Sequence, residues 1–177
     1  VVREVKVGLC GLGTVGSGVF NVVARNLEAI NARSNCQISI AQVGCRRDNR
    51  ACDTSAVNIT RDIFDVAKNP EIDIIVELIG GTTVAFELVM LALENGKHVV
   101  TANKEVMAKY GSELLATAAE NNVCLYYEAS VAGGIPIIGP LMNDLTANTI
   151  HSIRGIINGT TNYILTKMAN TAAGLNE

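Results

Sequence analysis

The stretch VKVGLCGLGTVG, residues 5–16, decides the fold. Val5 to Cys10 is a short apolar run that reads as a strand, and a long amphipathic segment begins at Thr14. Between them Gly11, Gly13 and Gly16 stand at the G-x-G-x-x-G spacing. The first glycine permits a tight turn, the second lets the backbone approach a diphosphate, and the third lets helix and strand pack closely. The helix start adds free N–H groups and the positive end of its dipole. Gly11, Leu12, Gly13, Thr14, Val15 and Gly16 are therefore candidate pyrophosphate-binding residues. The spacing by itself also suits a glycine-rich turn that holds nothing, so the flanking elements have to decide.

Downstream, Val15, Val19, Val22, Val23, Leu27 and Ile30 step by three and four, which predicts a helix of about five turns with one buried stripe, broken at Asn35. Residues 36–45, CQISIAQVGC, alternate into a second strand that ends in the polar turn Arg46-Arg47-Asp48-Asn49-Arg50. In a dinucleotide fold the end of the second strand meets the adenosine ribose. An acid there selects NAD, and an arginine accommodates the 2′-phosphate of NADP. No acid precedes Asp48, so Arg46 first and Arg47 second are candidate 2′-phosphate ligands, with NADP the expected cofactor and NAD possible. A solvated basic turn is the alternative.

A short helix is predicted around Asp62 to Lys68, stopped by Asn69-Pro70. A third strand follows over Ile72 to Leu78, nearly continuous in apolar residues, as suits a parallel strand covered on both faces. Gly80-Gly81-Thr82-Thr83 then makes a turn and helix cap. A helix over Val84 to Asn95 is closed by Gly96. His98 to Thr101 is a fourth strand, residues 105–122 a helix with Gly111 as a candidate kink, and Val123 to Tyr127 a fifth strand. Strands alternating with helices predict an α/β fold, a Rossmann-type doubly wound parallel sheet. Ligands of such sheets gather beyond the carboxyl ends of the strands. The glycine turn, Arg46, Gly80, Thr101, Asn103, Lys104 and Glu128 all fall at such ends. Five segments converging on one edge favour a bound dinucleotide over an empty turn.

Two of these positions bear chemistry. Lys104 lies between a buried strand and a helix, where a desolvated amine can polarise a carbonyl or relay a proton; a surface lysine is the alternative. Glu128 precedes the loop ASVAGGIP, whose carbonyls can turn inward on a hard monovalent cation; a solvated acid is the alternative.

Composition excludes several classes. The chain has 177 residues, 49% of them apolar and 18% charged, enough for one full domain and part of another. A net charge of −3 with no long basic run argues against nucleic acid or a membrane surface as partner. Aromatic residues are 4% with no Trp, which leaves no base-stacking platform. The five cysteines, Cys10, Cys36, Cys45, Cys52 and Cys124, form no C-x-x-C pair. Cys10, Cys45 and Cys124 sit in strand-like stretches and read as reduced core residues of a cytoplasmic protein. Zinc-ligand spacing is absent. The apolar run near the N-terminus is too short for a signal segment or membrane span.

Taken together, GLGTVGSGV, VELIGG, TANKEVMAKYG, YYEASVAGGIPII and GIINGTTNYILTKM run collinearly along nearly the whole chain and resemble the N-terminal part of the homoserine dehydrogenases. The resemblance implies a reversible NAD(P)-linked interconversion of homoserine and aspartate 4-semialdehyde, on the route to threonine and methionine. It implies that Lys104 contacts cofactor and substrate near the hydride path. It implies Na⁺ or K⁺ held through main-chain oxygens at Glu128, Val131, Gly133 and Ile135. Asn158, Gly159, Thr160 and Thr161 match the segment where the family's chain crosses into a substrate domain near the nicotinamide.

The expected organisation is a dinucleotide-binding domain over residues 1–147 and, over 148–177, the first strand and helix of an α+β substrate and dimerisation domain. The family's acidic substrate segment and second catalytic Lys have no counterpart here, and Lys167 is no substitute. The chain thus reads as a fragment that binds cofactor without turning over substrate, and the full-length protein as a homodimer. Two other readings are a nucleotide-sensing module, which would not need the Lys104 and Glu128–Pro136 constellation, and an aldehyde dehydrogenase with a Cys nucleophile, which would need a reactive thiol at a loop or helix start.

Overall fold

The computed structural model describes residues 2–156 and 158–171. Ile157 of the GIINGTTNYILTKM motif and residues 172–177 of the predicted second domain lie outside the described residues. The described residues fall into two compact units that divide between Ile138 and Gly139.

The first unit is built on a six-stranded, all-parallel sheet. Its elements in chain order are β1 (Arg3–Cys10), α1 (Thr14–Ser34), β2 (Cys36–Gly44), β3 (Asn58–Thr60), α2 (Ile63–Lys68), β4 (Ile74–Glu77), α3 (Thr83–Glu94), β5 (His98–Thr101), α4 (Lys104–Glu120) and β6 (Leu125–Tyr126). The spatial order is β3-β2-β1-β4-β5-β6, the doubly wound Rossmann arrangement, and the strand order reverses between β1 and β4. One strand more is present than the alternation of the sequence predicts. Asn58–Thr60 is only three residues long with one apolar residue, Ile59, and it becomes a strand by pairing with Gln42 to Gly44. The predicted strands over Ile72–Leu78 and Val123–Tyr127 contract to Ile74–Glu77 and Leu125–Tyr126.

Local signals explain the boundaries. The Asp62 carboxylate accepts from the Phe64 N–H at 2.9 Å and caps α2. Asn35 ends α1 in the left-handed region at φ 52°, and Gly96, at φ 69°, follows the cap of α3. Helix α4 runs unbroken through Gly111; the non-helical residue lies instead in α1, at Asn26. The buried contacts of α1 are Gly16 and Phe20, while Val15 and Val22, expected in its stripe, are exposed. Close approach at Gly16 sets the helix's rotation and turns those two valines off the sheet.

The core has two layers, one on each face of the sheet. Phe20 of α1 packs with Leu9, Leu12, Val43, Cys45 and Cys52. Helices α2, α3 and α4 cover the other face, with Ile75, Leu88, Leu93, Val99 and Leu114 fully buried. Each such leucine contributes roughly 1.5–3 kcal/mol of apolar burial.

The second unit contains a short π-helical turn at Pro140–Asp144 and helix α5 (Gly159–Thr171). No strand is assigned among its described residues. The strand predicted there would need a neighbouring strand to bond, and the described part of the unit holds none. No described residue of α5 is buried.

Candidate functional site

The site lies where β1 and β4 part. At this rim the Gly11 N–H donates to the Gly44 carbonyl at 2.8 Å and the Leu78 N–H donates to the Cys10 carbonyl at 2.8 Å, which ties three strand ends together. Gly11 has φ 102°, and a Cβ there would stand 2.6 Å from the Leu78 carbonyl oxygen. A Cβ on Gly16 would fall onto the Gly11 carbonyl oxygen. Gly13, by contrast, faces open space: no atom lies within 4 Å of its Cβ position. Two glycines thus shape the turn, and the third leaves a gap beside the start of α1. That gap suits a diphosphate, so the residues present fit a dinucleotide.

A cavity of about 850 Å³ opens here, lined by Gly11 to Gly13, Gly44 to Arg50, Arg61 to Phe64, Leu78 to Gly80 and Val84. A second, of about 270 Å³, is lined by Val15, Glu77, Leu78, Gly80, Gly81 and Ala102 to Glu105. They share Leu78 and Gly80, so they adjoin along the rim as a large and a small end. Gly11, Leu12, Gly13, Arg46, Arg47 and Gly80 line the large end; Val15, Asn103 and Lys104 line the small end. Thr14 begins α1 beside the cradle, Gly16 is buried beneath it, and Thr101 is buried at the end of β5.

Arg46 and Arg47 are exposed at the end of β2. Arg50 and Arg61 line the same cavity, and no local signal in the sequence points to either. The Arg61 guanidinium donates to Asp48 at 2.8 Å and to the Cys45 carbonyl at 3.2 Å. Asp48, the acid in the turn after β2, is therefore already paired. Asn49 reaches back to donate to the Leu12 carbonyl at 3.0 Å and fastens this loop to the glycine turn.

At the small end Asn103 caps α4, its side-chain oxygen accepting from the Val106 N–H at 3.2 Å. Its Nδ2 donates to the Gly81 carbonyl at 2.7 Å. Lys104 is the first residue of α4 and is exposed at the lip of the cavity. Of the two readings the sequence allows for this lysine, a desolvated amine and a surface one, its exposure matches the second.

Glu128 opens a 3-10 turn, and its Oε1 accepts from the N–H groups of Ile137 at 2.5 Å and Ile138 at 2.9 Å. The carboxylate thereby closes the loop that contains Val131, Gly133 and Ile135, all exposed, with Ala132 and Gly133 at positive φ. Among the described residues no group of three or more His, Cys, Asp or Glu gathers to hold a metal. In the second unit the Asn158 side chain accepts from the Thr161 N–H at 3.0 Å and caps α5, whose first turn holds Gly159, Thr160 and Thr161.

The cysteines divide differently from the sequence reading. Cys10 and Cys45 are buried, as is Cys52, but Cys124 is exposed. It precedes a two-residue edge strand, where alternation no longer means burial. Burial, with the nearby Glu77 carboxylate, pushes the Cys10 thiol up to about 12. Burial also raises Cys45, against the lowering effect of Arg61, and raises Cys52. Such thiols make poor nucleophiles.

The sheet order, the glycine cradle and the groove along the strand ends define a nicotinamide-dinucleotide-binding domain of the Rossmann type. Comparison with known proteins narrows this. A family model described as the NAD binding domain of homoserine dehydrogenase matches residues 11–128, and one described as homoserine dehydrogenase matches residues 136–177. The chain belongs to the homoserine dehydrogenase family. It is 58% identical over 166 residues to the homoserine dehydrogenase of Pseudomonas aeruginosa, covering 94% of this chain and 38% of the relative. It is 44% identical to that of Bacillus subtilis, covering 94% and 39%. The crystal structure of a homoserine dehydrogenase from Thiobacillus denitrificans superposes with a TM-score of 0.89 at 48% identity, covering 97% of this chain and 40% of that one. The chain thus spans about 40% of the length of the relatives it matches.

Among the described residues no helix is long and apolar enough to cross a membrane.

Proposed function

We propose that these residues form the cofactor half of an NAD(P)-linked homoserine dehydrogenase, which interconverts homoserine and aspartate 4-semialdehyde in threonine and methionine synthesis. The observation that carries this reading is the pair of adjoining cavities along the strand ends, one lined by the arginines and the open face of Gly13, the other by Lys104. Their chemistry suits a dinucleotide laid with adenosine at the large end and nicotinamide at the small end. When bound, the nicotinamide supplies or accepts the hydride at its C4. The chain's own contribution is positional. Gly11 to Gly16 hold the diphosphate, and Lys104 presents a cation to the substrate oxygen. No covalent intermediate is expected, and the aldehyde dehydrogenase reading fails because the thiols near the groove, Cys10 and Cys45, are buried. A nucleotide sensor would have no need of a lysine at the nicotinamide end.

NADP is proposed over NAD. Arg46, Arg47, Arg50 and Arg61 all line the adenosine end, and Asp48 is engaged by Arg61. Titration of residues 1–177 with NADPH and NADH tests both points. Arg46→Asp is expected to weaken NADPH about tenfold, the equivalent of ~1.4 kcal/mol, and NADH less than about twofold. Equal losses remove Arg46 from the 2′-phosphate.

The loop closed by Glu128 is the proposed holder of Na⁺ or K⁺, through main-chain oxygens of Glu128, Val131, Gly133 and Ile135. In support, the carboxylate already draws this loop into a turn. Melting in KCl, NaCl and choline chloride at equal ionic strength tests it. Cation-specific stabilisation lost in Glu128→Ala is the expected result. A cytoplasmic location accords with five unpaired cysteines. For the full-length protein a homodimer is proposed, supported by exposed apolar side chains such as Ile153, Ile156 and Leu165 in the second unit.

A further inference from the structure

Glu77 and Thr101 are the last residues of β4 and β5, and they face each other across the ladder. Both are fully buried. Beyond them the two chains part: one becomes the loop Leu78–Gly81, the other the segment that starts α4. Those two segments are the walls of the smaller cavity. The Glu77 carboxylate spans the fork. Its Oε1 accepts from the Ile79 N–H at 2.9 Å, and its Oε2 accepts from the Thr101 hydroxyl at 2.5 Å. The same hydroxyl accepts from the Asn103 N–H at 3.0 Å. Asn103 then donates to the Gly81 carbonyl at 2.7 Å and caps the turn that carries Lys104. The bonds close a ring: Glu77, Thr101, Asn103, Gly81 and back along the loop to Ile79.

A buried carboxylate is a costly way to end a strand pair, since an apolar residue would pack there without losing hydration. The return on that cost is positional. Gly80 and Gly81 both have left-handed backbones, at φ 72° and 74°, and no atom lies near either Cβ position, so side-chain packing does not hold them. The ring does.

We propose that Glu77 and Thr101 are positioning residues for the nicotinamide end of the groove, holding the Leu78–Gly81 loop and the Asn103–Lys104 turn at a fixed separation. This rests on the cofactor reading above, and the test separates the two. NADPH binding to residues 1–177 is measured beside adenosine 2′,5′-bisphosphate, which occupies only the arginine end. Thr101→Val removes the hydroxyl at nearly constant volume, Thr101→Ser keeps it, and Glu77→Gln keeps shape while removing one acceptor. The expected result is at least a fivefold loss of NADPH affinity in Thr101→Val, with the bisphosphate within twofold of the parent and Thr101→Ser restoring NADPH. Glu77→Gln is expected to show the same selective loss and serves if Thr101→Val does not fold. NADPH affinity unchanged in the folded variants overturns the proposal, and so does a parallel loss of both ligands, which means general loosening. Failure of the parent chain to bind NADPH at all removes the cofactor reading itself.

Discussion

The two rims of the sheet solve opposite problems with the same six strands. At the carboxyl rim the chain is kept open. Glycines replace side chains, arginines stand exposed, and the groove has a free face at Gly13. At the amino rim the chain is locked. The Lys97 side chain is only 4% exposed as a residue, and its ammonium donates to the carbonyls of Asn69 at 2.6 Å and Ile72 at 2.8 Å. Asn69 is the cap at the end of α2, where a cation meets the negative end of the helix dipole. The Asn69 side chain in turn donates to buried Gln42 at 2.8 Å. The difference teaches that polar burial here serves stability on one side and geometry on the other, and single substitutions should separate them.

Gly16→Ala attacks the point where both roles meet. The new Cβ would overlap the Gly11 carbonyl oxygen, so α1 must move. A loss of about 3 kcal/mol or more is expected in urea denaturation, with dinucleotide binding abolished.

Lys97→Met should damage the locked rim alone. It strands two carbonyls, at a cost of about 2–3 kcal/mol, while NADPH affinity of the folded protein stays within twofold. The pH dependence has a definite sign. Burial lowers the Lys97 pKa from its ordinary 10.5, opposed by the Asp73 carboxylate. Between the lowered native value and that of the unfolded chain, the unfolded state binds more protons, so stability rises with pH. Below that window the burial penalty is fully present. The stability gap between parent and Lys97→Met should therefore widen as pH climbs through the alkaline range towards ~10.4. A gap independent of pH would show that Lys97 titrates alike in both states.

Gly13→Ala is the converse. Nothing in the protein opposes the added methyl, so stability should change by less than about 1 kcal/mol. The methyl enters the proposed diphosphate space, and NADPH affinity should fall on the order of tenfold. An unchanged affinity would place the diphosphate elsewhere.

The smallest effect is chemical. Iodoacetamide at neutral pH should label exposed Cys124 and spare Cys10, whose thiol sits at about 12. Peptide mapping by mass spectrometry reads the outcome, and early labelling of Cys10 would contradict its burial at the switch point.

What could be read from sequence follows from the range of the interactions. The glycine spacing, the Asp62 cap, the Gly96 ending and the arginine turn are local, and each is written within a few residues. The Lys97 contacts cross 25 and 28 positions, and the Thr101–Glu77 bond crosses 24. No periodicity reports such partners, so a buried lysine reads as a surface one. Arg61 carries no signal in the sequence for the same reason: its tie to Asp48 spans 13 positions. The three-residue strand β3 carries no apolar pattern because its partner supplies the ladder. Val15 and Val22 match helical spacing, yet the close approach of Gly16 to the Gly11 carbonyl of the glycine turn outranks them in deciding which face turns inward.

The outermost strands of the sheet have three residues in β3 and two in β6. An exposed sheet margin is a template on which another chain's backbone can add, and the number of unpaired amides sets how firmly it does so. With so little ladder on either flank, fibrillar growth by strand addition has almost nothing to grip, although four inner strands are rich in β-branched residues.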